Sequence, residues 1–134
     1  MKRSALREQI FLLLFRVEFN SADQMQAQED LFFTENDAAG QIREEDESYI
    51  RSKYENIVGR LADIDAEINE RTVGWETERM SKVDLTIIRL AVYEILFDES
   101  VPTGVAINEA VELAKRYGQD ESPSFVNGVL AKFA

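Results

Sequence analysis

The chain has 134 residues, 45% of them apolar, with 26 acidic against 15 basic side chains and a formal net charge of −11. It has no cysteine and no histidine, which excludes disulfides, a thiolate nucleophile, Cys/His zinc ligation and any histidine-based triad. Six glycines and two prolines leave few breaks, and abundant Ala, Leu, Ile, Glu and Arg favour helices.

Met1–Lys2–Arg3 followed by the apolar run Ile10–Phe15 has the outline of a signal peptide. Arg7 and Glu8 interrupt its approach, Arg16 ends it, and no small-residue cleavage site follows. No stretch approaches ~18 uninterrupted apolar residues, so a soluble cytoplasmic chain with no membrane segment is expected. Charge is uneven. Residues 1–17 carry Lys2, Arg3, Arg7 and Arg16 against Glu8 alone, whereas residues 18–70 carry 15 acidic and 4 basic side chains. An acidic protein repels nucleic acid in general, yet a local cationic cluster still binds phosphates in a salt-sensitive way.

The spacing of Leu6, Ile10, Leu13 and Val17 predicts a first helix over about 3–19, widened by Phe11, Leu14 and Phe15. Asn20–Ser21 breaks it. A short second helix is predicted over 22–33, and Thr34–Gly40 reads as a loop. Ile50, Tyr54, Ile57, Leu61, Ile64 and Ile68 form a heptad seam. They predict one long third helix over about 44–72, across Gly59. Either it packs along its own domain or the seam pairs with a second copy. Ser81 and Asp84 make a start signal for a fourth helix over 82–97, which is apolar all round and therefore central. A buried Arg89 in it needs carboxylates or carbonyls from elsewhere. A fifth helix over 105–117 turns Ile107, Ala110, Val111 and Ala114 inward and is capped by Gly118. Ser122 and Pro123 start a sixth helix over about 123–133. The fold class is all-α: a compact helical bundle of six or seven helices, in two small subdomains of about 1–72 and 73–134.

No phosphate-cradling loop or dinucleotide fingerprint is present. The cluster Glu44–Glu47 suits the positive end of a helix better than a metal ion. With no catalytic set, no metal site and no cofactor motif, the remaining classes are adaptor, nucleic-acid binder and oligomeric scaffold, not enzyme.

The segments KVDLTIIRLAVYEILF (82–97), VAINEAVELAK (105–115) and FVNGVL (125–130), in that order, resemble the NusB family of bacterial transcription antitermination factors. Trp75 and Arg79–Met80–Ser81 are similar to the family's linker into its central helix, and Arg7–Glu8 before a bulky apolar helix to its start. Two departures stand out: Ser4 and Leu6 thin a usually arginine-rich start, and Leu85 replaces a frequent basic residue. The resemblance implies an RNA-binding adaptor that works with NusE, a small-subunit ribosomal protein, on boxA RNA. With the elongating RNA polymerase, this complex reads through terminators, notably in ribosomal RNA operons.

Carried over by position, the resemblance implies phosphate contacts by Lys2, Arg3 and Arg7, with Arg3 and Arg7 pointing to solvent. It implies RNA contacts by Phe15, Phe125 and Asn127, and a partner contact by Asp84. Core packing explains Phe15, and helix capping explains Asp84, equally well. Asn108 and Glu109 of the AINEA motif have helix-start hydrogen bonding and subdomain packing as their ordinary role. Two alternatives stand beside the adaptor. One is a homodimeric assembly protein paired through the 50–68 seam or another face. The other is a detached RNA-binding domain related to those of ribosomal RNA cytosine methyltransferases.

Overall fold

The apolar stripes read above all become helices in the structure, a computed structural model that describes residues 1–37 and 42–134. Seven α-helices and no strands occur among the described residues: α1 (Arg3–Phe15), α2 (Met25–Asp37), α3 (Glu44–Gly59), α4 (Leu61–Arg71), α5 (Lys82–Phe97), α6 (Thr103–Tyr117) and α7 (Ser122–Ala131). They fall into two compact units, Met1–Gly59 and Arg60–Ala134.

In the first unit α1 packs against α3. Ile10, Phe11, Leu13 and Leu14 are buried on α1, and Ile50, Tyr54 and Ile57 on α3. The helix of α1 stops at Phe15 rather than Phe19, and the chain tightens into a 3₁₀ turn over Arg16–Glu18. The second helix starts and ends later than expected. Ala22–Gln24 is a 3₁₀ turn held by reciprocal Ser21–Gln24 capping, and helix α2 runs through Thr34–Asp37, which the turn-rich composition had placed in a loop. The rest of that predicted loop, 38–40, lies outside the described residues.

Arg51 of α3 ties α2 to α3. Its guanidinium donates to Glu47 at 2.9 Å, to Asp30 at 3.1 Å and to the buried Glu29, and lies 4.3 Å from the centre of the Phe33 ring. Burial pushes the Glu29 carboxyl above its ordinary range, and its contacts with Arg51 offset only part of that. One turn on, Tyr54 is buried and its hydroxyl has no hydrogen-bond partner among the described residues. Burial, then the neighbouring Glu29 and Glu55 charges, push its phenol up to about 12.

In the second unit α5 is enclosed, with every residue from Asp84 to Glu94 buried. Its limits match the sequence reading, and Ser81 Oγ accepts the Asp84 backbone N–H at 3.1 Å as expected of a cap. Helices α4, α6 and α7 pack on it. The polar demand of Arg89 is met from α4: Nε donates to Asp65 Oδ1 at 2.8 Å and Nη2 to Oδ2 at 2.7 Å. This two-pronged fit is what a guanidinium makes with a carboxylate. The buried face of α6 is Ala106, Ala110, Leu113 and Ala114, with Ile107 and Val111 only half-buried. That face is turned from the predicted one because three alanines admit close helix approach, whereas branched residues serve its margin.

Three sequence readings are corrected here. The predicted long third helix is two helices, broken at Gly59–Arg60, where Arg60 leaves helical geometry (φ −115°, ψ 13°). Glycine weakens a helix by about 1 kcal/mol, and here it ends α3. The division between units falls at this break rather than near residue 72. The heptad seam does not form an exposed stripe: Ile50, Tyr54, Ile57, Ile64 and Ile68 are all buried within the chain, so it is not available to a second copy. Lastly, Ser122 is not an N-cap, whereas Gly118 does take the C-cap of α6 as expected, in extended rather than left-handed geometry. Gly118 has φ −91° and ψ −170°. A Cβ there would stand 2.5 Å from Ser122 Cβ and 2.8 Å from the Ala114 carbonyl oxygen, so close approach of α7 requires the glycine. Ser122 is the first residue of α7, and its Oγ accepts the Gln119 N–H at 2.9 Å.

Two stability predictions follow from these contacts. The folded state holds the Tyr54 proton up to a pH of about 12, whereas the unfolded chain releases it near ~10. Between those values the unfolded state binds fewer protons, so this tyrosine makes stability fall as pH rises. Tyr54→Phe is expected to flatten that alkaline loss and to cost nothing at pH 7, with a gain of up to about 1 kcal/mol from removing an unpaired buried hydroxyl; urea unfolding at pH 7 and pH 11 measures both. Asp65→Ala removes the two-pronged carboxylate from a buried guanidinium and is expected to cost about 2–3 kcal/mol. Arg89→Met, which leaves the more accessible carboxylate to water, is expected to cost less, as measured by the same unfolding assay.

Candidate nucleic-acid interface

The cations of the first helix separate into two kinds. Lys2 and Arg3 are exposed at the start of α1, whose first turn holds no acidic residue, so their charges add to the positive end of the helix dipole. Arg7 is different. It is only 5% exposed and shares the buried face of α1 with Ile10, Phe11 and Leu14. Arg3 and Arg7 share a face at i, i+4 spacing, but Arg3 stands at the exposed end of α1 whereas Arg7 lies one turn in among its buried residues, so the expectation that Arg7 points to solvent is overturned. Arg16 is also committed: it donates to Gln28 and to Glu35 at 3.1 Å and lies 5.2 Å from the centre of the Phe32 ring. The basic head is therefore two exposed side chains, not four. It lies close to the acidic start of α3, because the Met1 ammonium pairs with Asp46 at 3.1 Å.

Phe15 is half-buried and joins both readings made of it. Its ring stacks on the buried Phe11 with centroids 6.1 Å apart and meets Phe19 edge-on at 5.0 Å. Phe19 is 60% exposed, so the row Phe11–Phe15–Phe19 passes from core to surface. Sequence reading placed Phe19 only at a helix end. The i+4 spacing was the signal that it continues the row.

In the second unit α7 presents Phe125, half-buried, and Asn127, exposed. Phe125 meets Trp75 edge-to-face with centroids 5.4 Å apart, although Trp75 remains 57% exposed. The turn after α4 fixes the backbone at Trp75. The Trp75 backbone N–H donates to the Thr72 carbonyl at 2.7 Å, Thr72 Oγ1 lies 2.7 Å from the Ile68 carbonyl and 2.9 Å from that of Trp75, and the Thr77 backbone N–H donates to Asn69 Oδ1 at 2.8 Å. Gly74 takes φ +90° in this turn, a value that side chains disfavour. Trp75 and Phe125 border a shallow cavity of about 280 Å³, whose other walls are Thr72, Ser124, Gly128, Val129 and Lys132. Sequence reading had treated Trp75 as part of a linker and had not singled out Gly128 or Lys132.

Asp84, expected to meet a partner protein, is 9% exposed. Its backbone N–H is capped by Ser81, and its Oδ1 has no hydrogen-bond partner among the described residues. Asn108 is exposed on α6 and Glu109 half-buried. Glu44–Glu47 occupy the first turn of α3, and Asp46 and Glu47 there hold Met1 and Arg51. No group of three acidic residues able to hold a metal ion occurs among the described residues.

Comparison with known proteins bears on this arrangement. Residues 4–134 match the model of the NusB family. A protein of Agathobacter rectalis described as "Transcription antitermination protein NusB" is 54% identical over 134 residues, covering 100% of both chains. A protein of the same description from Lachnoclostridium phytofermentans is 46% identical over 132 residues, 98% of each chain. Among solved structures, T. maritima NusB superposes with a TM-score of 0.84 at 34% identity, over 100% of this chain and 91% of that one.

Proposed function

The chain belongs to the NusB family, and from that premise we propose that it is a transcription antitermination factor. In this reading it is an RNA-binding adaptor that pairs with the NusE-type small-subunit ribosomal protein on boxA RNA and promotes read-through by the RNA polymerase elongation complex, notably in ribosomal RNA operons. The observation that carries the proposal is the 54% identity, end to end, with a relative described as an antitermination protein. A binding role without catalysis accords with a chain that has no histidine or cysteine. No helix of the described residues is long and apolar enough to cross a membrane, and we place the protein in the cytoplasm, where nascent transcripts are.

The two units together act as one RNA-binding domain over 1–134. In it Lys2 and Arg3 meet phosphates, Phe15 and Phe125 offer aromatic surface to bases, and Asn127 hydrogen-bonds the RNA. Arg7 supports this surface from inside by holding its place in the buried face of α1. The partner protein binds near Asp84, at the start of α5. A net charge of −11 attracts a basic ribosomal protein and discourages unspecific RNA binding. The isolated protein therefore binds RNA weakly, and the partner strengthens it.

Two exposed cations rather than three give a shallow salt dependence. With ~0.7 counterions released per phosphate contact on single-stranded RNA, Lys2 and Arg3 contribute a slope of about −1.4 in log K against log salt. Replacing both with Glu is expected to remove most RNA binding and flatten that slope, measured by anisotropy of labelled boxA RNA across a salt series, with the thermal midpoint unchanged. Arg7→Glu is expected to lower the thermal midpoint instead, because it buries an opposite charge in the same pocket. A one-to-one complex with the NusE-type protein is expected by calorimetry at low and physiological salt. Its absence, or full RNA affinity in the Lys2/Arg3 double reversal, would count against the proposal.

A further inference from the structure

Two arginines clasp α2. Arg16 reaches it from the 3₁₀ turn, pairing with Glu35 at 3.1 Å and lying over the Phe32 ring, and Arg51 reaches it from α3, pairing with Glu29 and Asp30 and lying over the Phe33 ring. The clasps differ in where their carboxylates sit. The Glu35 side chain is 53% exposed, whereas that of Glu29 is 4% exposed. Arg51 is also shared, because Glu47 and Asp30 accept hydrogen bonds from the same guanidinium. One positive charge thus serves three carboxylates, and Glu29 is the one without water. A fourth carboxylate, Glu55, stands one turn beyond Arg51 on α3 and within hydrogen-bonding reach of Glu29. Two carboxylates hydrogen-bond each other only when a proton lies between them. Tyr54 brings no relief, since its buried hydroxyl has no partner among the described residues.

We propose that Glu29 is a proton-operated latch that closes α2 on α3. With the proton on, its carboxyl accepts from Arg51 through one oxygen and donates its O–H to Glu55. With the proton off, a buried charge faces a second carboxylate, and α2 opens more readily to return Glu29 to water. The apolar residues that α2 buries, Met25, Phe32 and Phe33, are then uncovered with it. Burial raises the Glu29 carboxyl above its ordinary range, Arg51 pulls against that rise, and Glu55 adds to it. Other charges surround the helix: Arg16, Glu18 and Asp23 on the two 3₁₀ turns, Arg7 on α1 and Lys53 on α3. Those of Arg51 and Glu55 act on Glu29 most strongly. The sign follows from where water reaches. Closed α2 binds the proton more tightly than opened α2, so falling pH tightens the latch and rising pH through the Glu29 midpoint loosens it. The Arg16 clasp, whose carboxylate is already in water, lacks this dependence. The latch is independent of the RNA-binding reading.

Hydrogen exchange and carboxyl titration of the full chain test this together. Amide exchange is followed by NMR from about pH 8 to about pH 5, above the range in which ordinary carboxylates titrate, and each rate is divided by its intrinsic rate. The Glu29 carboxyl carbon is titrated in the same samples. Protection of the α2 amides is expected to rise as pH falls, with the midpoint of Glu29. The rise is expected to reach about tenfold for each pH unit that separates the Glu29 midpoints of the closed and opened helix. The α5 amides are expected to stay level. Glu29→Gln keeps the shape without the charge and is expected to hold α2 protected at both ends of the range. Glu55→Gln, a change at an exposed side chain, is expected to lower the Glu29 midpoint, and Glu35→Gln to leave the pH dependence of α2 unchanged. Level α2 protection in the native chain overturns the latch. A pH dependence that persists in Glu29→Gln, or a Glu29 midpoint that does not move in Glu55→Gln, overturns it as well.

Discussion

A helix that is apolar around its whole circumference has no face to offer to water, and α5 is such a helix. Its enclosure by α4, α6 and α7 organises the second unit. The constraint becomes severe at Arg89, because a guanidinium cannot be left in a dry core without a carboxylate. Asp65 supplies both oxygens, and this ion pair ties α4 to α5. The turn that follows α4 carries Trp75, whose ring meets Phe125 of α7.

The second unit was the more legible in the sequence. The capping pair Ser81–Asp84 and a continuous apolar run specify α5 locally, and the predicted limits hold. The need of Arg89 for a carboxylate was legible too, but not its source, since periodicity within a helix says nothing about which neighbour faces it. The third helix shows the converse. Ile50 to Ile68 keep heptad spacing across Gly59–Arg60, and a burial pattern in sequence cannot reveal that the helix stops and restarts there. Gly118 was correctly placed at a helix end, but the reason for it is contact with Ser122, which only the packing of α7 reveals.

Charge was the least reliable guide to the candidate interface. Lys2, Arg3, Arg7 and Arg16 look equivalent when counted along the chain. In the fold, Arg7 is buried and Arg16 is spent on Gln28, Glu35 and Phe32. Counting assumes that every cation reaches solvent, whereas α1 is buried on so broad a stripe that half of its cations fall within or beside it. Phe15 shows the same difficulty in aromatic form, because the row that begins in the core with Phe11 ends in water at Phe19. Trp75 escaped notice as a site residue for another reason: its place on the surface beside Phe125 depends on where α7 packs, which composition does not encode.

The break at Gly59–Arg60 also governs how the chain assembles in time. Beyond it, α4 packs on α5, α5 on α6 and α6 on α7, each the next element along the chain. These neighbour-on-neighbour pairs close short loops, which favours rapid folding, and the packing of α7 on α5 spans α6. Before it, α1 must find α3 across the whole of α2 and the segment that follows, a longer loop with a larger closure entropy. The N-terminal helix leaves the ribosome first, yet its apolar stripe stays uncovered until α3 has been made. The exposed acidic residues of α2, Asp30 and Glu35, emerge during that wait and set charge beside the apolar stripe.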